Sequence, residues 1–309
     1  MSVFEVETLG GSGAVTVIIP AYNAERFIRR SIDSVLAQTH PASQIIVIDD
    51  GSKDSTRLIV SQEYAGRVTL LEQQNGGPAK ARNAGLRIAT GDHIAFLDAD
   101  DWWEPGKLAE QLRVLELHTD AVGNYTGLRV VDEEKNLLAD LPPADHTNLR
   151  EVLRWGNPGI PPSSVLLRRS ALQKLRNSYD ERLRGSEDWN LWFRLAKHGS
   201  FCVCPEPLTY YLSSAGGLSG NADHMFDDFM KMLDDTLLIG LNGLSRKVWR
   251  RRIISYQAFK ACLTARAAGD RISERSYMRR SIAAWPSPFW APERFRYFAV
   301  TAMRTWETP

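Results

Sequence analysis

The stretch IIVIDDGSKDST, residues 45–56, carries the pattern that decides the fold. Its first four residues are apolar and β-branched, which is typical of a strand buried on both faces. The strand ends at two aspartates, a glycine and a serine, which favour a turn. Asp54, Ser55 or Thr56 is expected near the start of the following helix, because such side chains cap helix N-termini.

The same strand-then-helix pattern recurs on both sides of this stretch. Further strands are predicted at residues 15–20, 68–71 and 92–97, and helices at residues 24–38, 78–89 and 108–118. Strands that alternate with helices are typical of βαβ units. The sequence therefore predicts an α/β protein with a Rossmann-like, doubly wound, mostly parallel sheet flanked by helices.

The second half of the chain has a looser pattern. The predictions are strands at residues 122–131, 163–167, 201–203 and 208–212, a Pro-rich loop region at 140–163, a helix at 189–198, and helices from about residue 223 with a break at 285–292. The Gly- and Ser-rich segment 213–221 is typical of a flexible joint. We therefore expect one domain over residues 1–220 and a helical extension over residues 221–309.

The composition excludes several classes of protein. With 309 residues, 43% hydrophobic and 24% charged, the chain is neither disordered nor a fibre nor a small disulfide scaffold. A net charge of +1 argues against strong nucleic-acid binding, and three cysteines suit a reducing compartment. The N-terminus lacks the regions of a signal peptide, and no apolar run approaches the roughly 18 residues of a membrane span. A cytoplasmic protein is expected.

The near-neutral charge is the sum of two unlike parts. Residues 1–244 carry a formal charge of −9, whereas residues 245–309 carry +10 and 11 of the 29 aromatic residues. Basic and aromatic residues together are typical of segments that bind an anionic membrane surface. A helical appendage packed on the core and a homodimer contact are the two alternatives for this extension.

The strongest chemical motif is FLDADDWW, residues 96–103, at the end of a predicted strand. Clustered carboxylates repel one another unless a cation neutralises them, and one or two carboxylates with substrate phosphates are how magnesium or manganese is usually held. Asp98 and Asp100 are therefore the candidates for a metal–diphosphate site. Asp101 is assigned to capping a helix, because Trp102 and Pro105 follow it as they often do at a helix start.

Two further motifs follow other strands. In residues 47–56 a carboxylate at a strand end is placed to accept hydrogen bonds from a base or ribose, although a turn with a helix cap explains the same residues. In NGGPAKARNAGL, residues 75–86, a Gly-rich loop leads into a helix that carries Lys80 and Arg82. Arg82 has two interpretations of equal weight: it pairs with a diphosphate, or it pairs with one of the Asp clusters. Neither a Walker A nor a G-x-G-x-x-G pattern is present.

The segment RGSEDWNLWFRLAKHG, residues 184–199, places Glu187 and Asp188 at a predicted helix start. The helix dipole alone favours acidic residues there. A carboxylate beside tryptophans is also suited to act as a general base facing a sugar. Both interpretations are open on the residues alone.

Taken together, five motifs over residues 15–212 closely resemble the family 2 glycosyltransferases of GT-A fold. They are VTVIIPAYN, SVLAQTHPASQIIVIDDGSKDST, NGGPAKARNAGL, ATGDHIAFLDADDWWEPGKL and GSEDWNLWFRLAKHG. The resemblance implies that Pro20, Ala21 and Tyr22 line the nucleotide pocket. It also implies that Asp50 binds the base, with Asp49 beside it.

The resemblance extends to the reacting groups. It implies that Arg82 lies near the nucleotide, that Asp98 binds the ribose, and that Asp98 and Asp100 hold Mn²⁺ or Mg²⁺ at the diphosphate. Asp188 matches the general base of inverting members, and Glu187 its supporting partner. Residues 15–120 then form the nucleotide-sugar half of the catalytic domain and residues 121–220 the acceptor half.

The implied activity is an inverting, metal-dependent hexosyltransferase. The donor is a nucleotide-diphosphate sugar, with a UDP-sugar favoured, and the acceptor is a glycan or lipid-linked saccharide of bacterial surface polysaccharide. The resemblance adds a peripheral position on the inner face of the cytoplasmic membrane. The chain departs from many relatives at Tyr211, where an arginine is common, and has no histidine after the core until His224.

Two other function classes are compatible with a nucleotide-binding α/β core. A non-catalytic sugar-nucleotide or glycan-binding module is expected to have lost Asp98, Asp100 or Asp188, and all three are present. A sugar-nucleotide pyrophosphorylase requires a Gly-rich, basic signature after the first strand, where this chain has PAYNAER. The transferase therefore remains the first interpretation.

Overall fold

The computed structural model describes residues 13–144, 148–156, 158–213 and 222–286. The chain divides into two compact units. The first unit comprises residues 1–147, 159–179 and 195–213, and the second unit comprises residues 148–158, 180–194 and 214–309. The predicted boundary at residues 220/221 stays a prediction, and the predicted joint at 213–221 lies almost wholly outside the described residues.

The first unit is built around one mixed sheet. Its strands are β1 (Val15–Ala21), β2 (Gln44–Asp49), β3 (Thr69–Glu72), β4 (His93–Phe96), β5 (Trp102–Trp103), β6 (Gly123–Val131), β7 (Leu137–Leu141), β8 (Val165–Arg168) and β9 (Phe201–Leu212). Their order is β3-β2-β1-β4-β8-β6-β9-β5, with β7 paired to β6. Strands β1 to β4 are parallel, whereas β8 runs antiparallel to both of its neighbours. The predicted α/β class is confirmed.

Helices connect the parallel strands as the sequence pattern predicts. They are α1 (Ile28–Leu36), α2 (Thr56–Glu63) and α3 (Pro78–Ile88), whereas α4 (Lys107–Leu117) lies between β5 and β6. Every residue of β4 is buried, and so are the last five of β2, which explains the continuous apolar runs at residues 45–48 and 94–96. Gly85 lets α3 approach the sheet, because a Cβ atom there would lie 2.6 Å from Ile18 Cγ2.

The structure corrects four details of the sequence-based assignment. Helix α1 begins only at Ile28, and the predicted loop region 140–163 contains a helix, α5 (Leu149–Trp155). Strand β7 was not predicted. The two short strands predicted at 201–203 and 208–212 form the single strand β9, because its pairing with β6 continues across a register shift opposite the segment that carries Pro205 and Pro207.

The second unit is helical in its described part. Besides α5 it contains α7 (Glu187–Leu195, its last residue counted with the first unit), α8 (Ala222–Met232), a π-turn (Leu233–Leu237), α9 (Gly243–Ala267) and α10 (Arg271–Ala284), while the short α6 (Arg169–Leu172) belongs to the first unit. Asp270 caps α10 by accepting hydrogen bonds from the backbone N–H groups of Ile272 and Ser273. No helix in the described ranges combines the length and apolar composition that a membrane span requires.

Candidate active site

An acidic turn, residues 98–101, follows β4 at the carboxyl edge of the parallel strands. The backbone N–H of Asp101 donates to the carbonyl oxygen of Asp98 at 3.1 Å and closes the turn. The Asp98 carboxylate accepts a hydrogen bond of 2.6 Å from Arg82 Nη2. Arg82 is itself buried, and its guanidinium lies 5.3 Å from the ring centroid of Tyr179. Of the two readings of Arg82, the structure therefore shows the pairing with an Asp cluster.

The Asp100 side chain is half-buried beside Asp98. The backbone carbonyl of Asp100 accepts a hydrogen bond from Arg30 Nη2 at 2.9 Å. The carboxylate of Asp100 has no side-chain partner among the described residues. Burial, followed by the nearby Asp98 carboxylate, raises the pKa of Asp100 to about 6. Two adjacent carboxylates, one of them uncommitted, offer the hard oxygen ligands that Mg²⁺ or Mn²⁺ prefers. These donors fit a divalent cation.

Asp101 does not cap a helix, so that assignment is wrong. Helix α4 begins only at Lys107, and Trp102 and Trp103 form β5 by pairing with β9. Asp101 is instead buried, with its Oδ1 accepting from the backbone N–H of Leu212 at 2.9 Å and its Oδ2 accepting from Ser163 Oγ at 2.5 Å. Burial, with the neighbouring carboxylates, raises the pKa of Asp101 well above its usual range. The third aspartate therefore anchors the acidic turn.

The carboxyl end of β2 presents Asp49 and Asp50, both buried. Asp50 Oδ1 accepts hydrogen bonds from Gln73 Nε2 at 2.7 Å and from the Gly76 N–H at 2.9 Å. Its Oδ2 accepts from the Gly77 N–H at 2.8 Å. A carboxylate offers about four acceptor positions, so three bonds leave capacity for one more. Asp50 thus holds the Gly-rich loop ahead of α3 at the same sheet edge.

The carboxyl end of β1 lies between those of β2 and β4. Pro20 and Ala21 pair with Ile48 and Asp49 of β2, and the Ala21 carbonyl accepts the N–H of Asp50 at 2.8 Å. Tyr22 comes directly after them and is 47% exposed. The first unit therefore brings the predicted nucleotide residues to one edge of three adjacent strands, as expected where parallel strands end.

The second unit carries Glu187 and Asp188 in the first turn of α7, as predicted. Glu187 is buried and Asp188 half-buried, and Asp188 Oδ1 accepts the N–H of Trp189 at 2.5 Å. The preceding residues are held by Asp228, which is 2% exposed and whose Oδ2 accepts the N–H groups of Arg184 and Gly185 at 2.8 and 2.9 Å. The helix start that carries the predicted base is therefore fixed within its own unit.

Four residues that hold these groups or the segments beside them were not predicted from the sequence. They are Arg30, Ser163, Tyr179 and Asp228. Each contacts a partner at least 43 residues away along the chain, so no local spacing signals the contact. Only the polar side chain of Asp228 within the apolar face of α8 gives a hint, because Phe226, Phe229 and Met232 are buried beside it.

Curated relatives resemble this chain over much of its length. A glycosyltransferase of Rickettsia typhi named RT0329 is 33% identical over 61% of this chain, which spans 60% of that relative. The amylovoran biosynthesis glycosyltransferase AmsB of Erwinia amylovora is 28% identical over 83% of this chain and 86% of AmsB. The UDP-Glc:alpha-D-GlcNAc-diphosphoundecaprenol beta-1,3-glucosyltransferase WfaP of Escherichia coli is 30% identical over 67% of this chain and 80% of WfaP.

Two solved structures share the fold. Residues 1–349 of Staphylococcus aureus TarS, in complex with UDP-GlcNAc, match 88% of this chain and 79% of that one with a TM-score of 0.62 and 19% identity. The mannosyltransferase PcManGT of Pyrobaculum calidifontis, with GDP-Man and Mn²⁺, matches 96% of this chain and 88% of its own with a TM-score of 0.54 and 20% identity. The model for the glycosyl transferase family 2 matches residues 16–176. With the motif order and sheet topology above, this match shows that the chain belongs to glycosyl transferase family 2.

Proposed function

We propose that the protein is an inverting glycosyltransferase that moves a hexose from a nucleotide-diphosphate sugar to a glycan or lipid-linked saccharide. The observation that carries the proposal is the acidic turn, in which Arg82 fixes Asp98 and no side chain of the described residues pairs with the carboxylate of Asp100. This turn lies at the sheet edge that also carries Asp50 and Tyr22. Such an edge is where open α/β sheets bind ligands.

The donor nucleotide is assigned to the carboxyl ends of β1 and β2. Pro20, Ala21 and the exposed ring of Tyr22 line its pocket, and the remaining acceptor position of Asp50 receives an N–H of the base, with Asp49 beside it. TarS was solved in complex with UDP-GlcNAc, and the name of WfaP includes UDP-Glc, which supports a UDP-sugar as the donor.

A divalent cation, Mn²⁺ or Mg²⁺, is assigned to Asp98 and Asp100, and the Mn²⁺ named in the PcManGT complex supports this assignment. When bound, it would neutralise charge on the departing diphosphate. Arg82 keeps the Asp98 carboxylate oriented, since their 2.6 Å bond joins a buried cation to an anion.

The acceptor is activated by the carboxylate of Asp188. Asp188 accepts the proton of an acceptor hydroxyl, and Glu187 supports it from the same helical turn. The hydroxyl oxygen bonds to the anomeric carbon as the bond from that carbon to the diphosphate oxygen breaks. Attack from the opposite face inverts the configuration, and the nucleoside diphosphate leaves.

A donor screen tests the function itself. Purified full-length protein is incubated with Mn²⁺ and each common nucleotide-sugar, and release of the nucleoside diphosphate by donor hydrolysis is measured. We expect one UDP-sugar to be hydrolysed above the rate without enzyme. Hydrolysis of a GDP- or dTDP-sugar instead would overturn the donor assignment alone, whereas absence of hydrolysis and of binding for every donor contradicts the transferase.

Asp100→Ala is expected to weaken Mn²⁺-dependent UDP binding at least about 100-fold. Mutation of a residue that only orients a metal ligand already lowers metal affinity about 10–100-fold, so the loss of a ligand itself should cost at least as much. Isothermal titration of UDP at several Mn²⁺ concentrations measures the effect. The matched control is Asp92→Ala, an exposed aspartate just before the opposite end of the same strand. Equal weakening in both variants would mean that Asp100 is not a ligand.

An anionic membrane surface is the proposed partner of the C-terminal extension, and the diphosphoundecaprenol-linked sugar in the name of WfaP supports a lipid-linked acceptor there. Along α9, Trp249, Arg252, Tyr256 and Lys260 recur at the spacing of one helix face. The Trp155 ring of α5 packs against this face, with its centroid 5.4 Å from that of Trp249 and 5.5 Å from that of Tyr256, which leaves Tyr256 41% exposed. The Arg252 guanidinium lies 5.1 Å from the Trp249 ring centroid. No carboxylate of the described residues pairs with Lys260. We name these four residues the α9 stripe.

Reversing a charge on the α9 stripe is expected to weaken vesicle binding. Lys260→Glu should weaken the free energy of binding to phosphatidylglycerol vesicles by about 2 kcal/mol, which is roughly 30-fold in partitioning. Each basic residue contributes about 1 kcal/mol, and the change replaces a positive charge by a negative one. Lys247→Glu, the same change on the opposite face of α9, is the control and should cost far less. Flotation measures both. Equal partitioning of the two variants would exclude the stripe, and no wild-type binding would leave the core appendage or the homodimer contact as its role.

A further inference from the structure

Ser163 lies at the centre of the contacts that hold the acidic turn. It belongs to a 3-10 turn, Pro162–Ser164, that leads into β8, and it is fully buried. Its hydroxyl oxygen is 3.1 Å from the backbone nitrogen of Asp98 and 2.5 Å from Asp101 Oδ2. The first and last residues of the turn are therefore bridged by one side chain from 62 residues further along the chain.

The directions of these two hydrogen bonds follow from the groups involved. An N–H group only donates, so the Ser163 oxygen accepts from Asp98. The hydroxyl proton is then directed at Asp101 Oδ2. The turn is also closed internally by the 3.1 Å bond from the Asp101 N–H to the Asp98 carbonyl. Ser163, which lies outside the turn, therefore fixes the separation of Asp98 and Asp101.

The surroundings hold Ser163 itself in place. Its backbone carbonyl accepts the indole N–H of Trp103 at 2.8 Å. The other oxygen of Asp101 accepts the N–H of Leu212 at the end of β9. Each partner belongs to a different strand or to the turn itself, so the position of the acidic turn depends on the sheet rather than on local backbone preference.

We infer that Ser163 is a positioning residue for the donor site, which holds the Asp98 and Asp100 carboxylates in the arrangement that a cation-bound nucleoside diphosphate requires. The inference rests on the proposed function of these two carboxylates. Ser163 touches no substrate, because its hydroxyl is buried and both of its hydrogen bonds are internal. Its effect reaches the ligand through the backbone at Asp98.

The test compares two neighbouring serines in the full-length protein. Ser163→Ala should weaken Mn²⁺ binding in the presence of UDP by about 10-fold to 100-fold, as loss of a partner that orients a ligand does. Ser164→Ala is the control, because Ser164 is equally buried but its hydroxyl donates to the Pro161 carbonyl at 2.8 Å. Free Mn²⁺ is measured by electron paramagnetic resonance, and the melting temperature of each variant is recorded.

Two further variants separate positioning from stability. Ser163→Thr keeps the hydroxyl and should restore Mn²⁺ binding to within about threefold of wild type. In a double-mutant cycle with Asp101→Ala, the two losses should be strongly non-additive, because both changes remove the hydrogen bond between Ser163 and Asp101. Equal Mn²⁺ affinity in Ser163→Ala and Ser164→Ala, or additive losses in the cycle, would overturn the inference. Failure of the wild type to bind Mn²⁺ with UDP would instead contradict the proposed cation site.

Discussion

Asp188→Asn is expected to reduce sugar transfer by about 10²–10⁴-fold while leaving donor binding within about twofold of wild type, since a general base contributes that much to rate. An amide cannot take the proton of the acceptor hydroxyl. The substitution preserves shape, and the Asn oxygen can still accept the N–H of Trp189 as Asp188 Oδ1 does at 2.5 Å. The start of α7 should therefore be unchanged.

The measurement pairs steady-state transfer rates with titration of UDP and Mn²⁺. Asp227→Asn is the control, because Asp227 lies in the same unit with 75% of its side chain exposed. That variant should retain wild-type rates. Turnover of Asp188→Asn at the wild-type level would rule out this base, and a loss confined to donor binding would move Asp188 to the donor site.

Lys107→Met is expected to remove a pH-dependent part of the stability. Lys107 is fully buried in α4, with its ammonium 4.0 Å from the ring centroid of Trp103 and 2.6 Å from Gln111 Oε1. Burial lowers the pKa of Lys107 from 10.5 to about 7. Above pH 7 the unfolded chain therefore binds more protons than the folded protein, and the free energy of unfolding rises with pH until about 10.

The expected size is large for one residue. A shift of this extent corresponds to a rise of up to about 5 kcal/mol across the window, since one pKa unit is worth about 1.4 kcal/mol. Urea unfolding at pH 6, 7.5 and 9 measures the slope in wild type, in Lys107→Met and in the exposed control Lys247→Met. Burial raises the pKa of Cys204 to about 12, which has the opposite effect on stability above about pH 9, so the slope is compared between pH 6 and pH 9. A slope unchanged in Lys107→Met would contradict the prediction.

Much of the fold was predictable because its buried strands contain short apolar runs that are visible in the sequence. The buried centres of β2 and β4, residues 45–48 and 94–96, are continuous apolar runs, and α3 begins at Pro78 as predicted. The prediction was wrong where pairing partners are distant. Asp101 and Trp102 were interpreted as a helix start, but Trp102 and Trp103 pair with β9, which is more than 100 residues away.

The sequence by itself determined the α/β class, the order of the motifs and the carboxylates Asp98, Asp100 and Asp188 as candidates, because strand burial and motif spacing are local properties. Only the tertiary structure decided what those carboxylates touch. It paired Arg82 with Asp98, left the carboxylate of Asp100 without a side-chain partner in the part of the chain that the structure describes, and made Asp101 an anchor bonded to Ser163 instead of the predicted cap. The physical reason is that a hydrogen bond between residues 62 positions apart leaves no periodic trace in the chain.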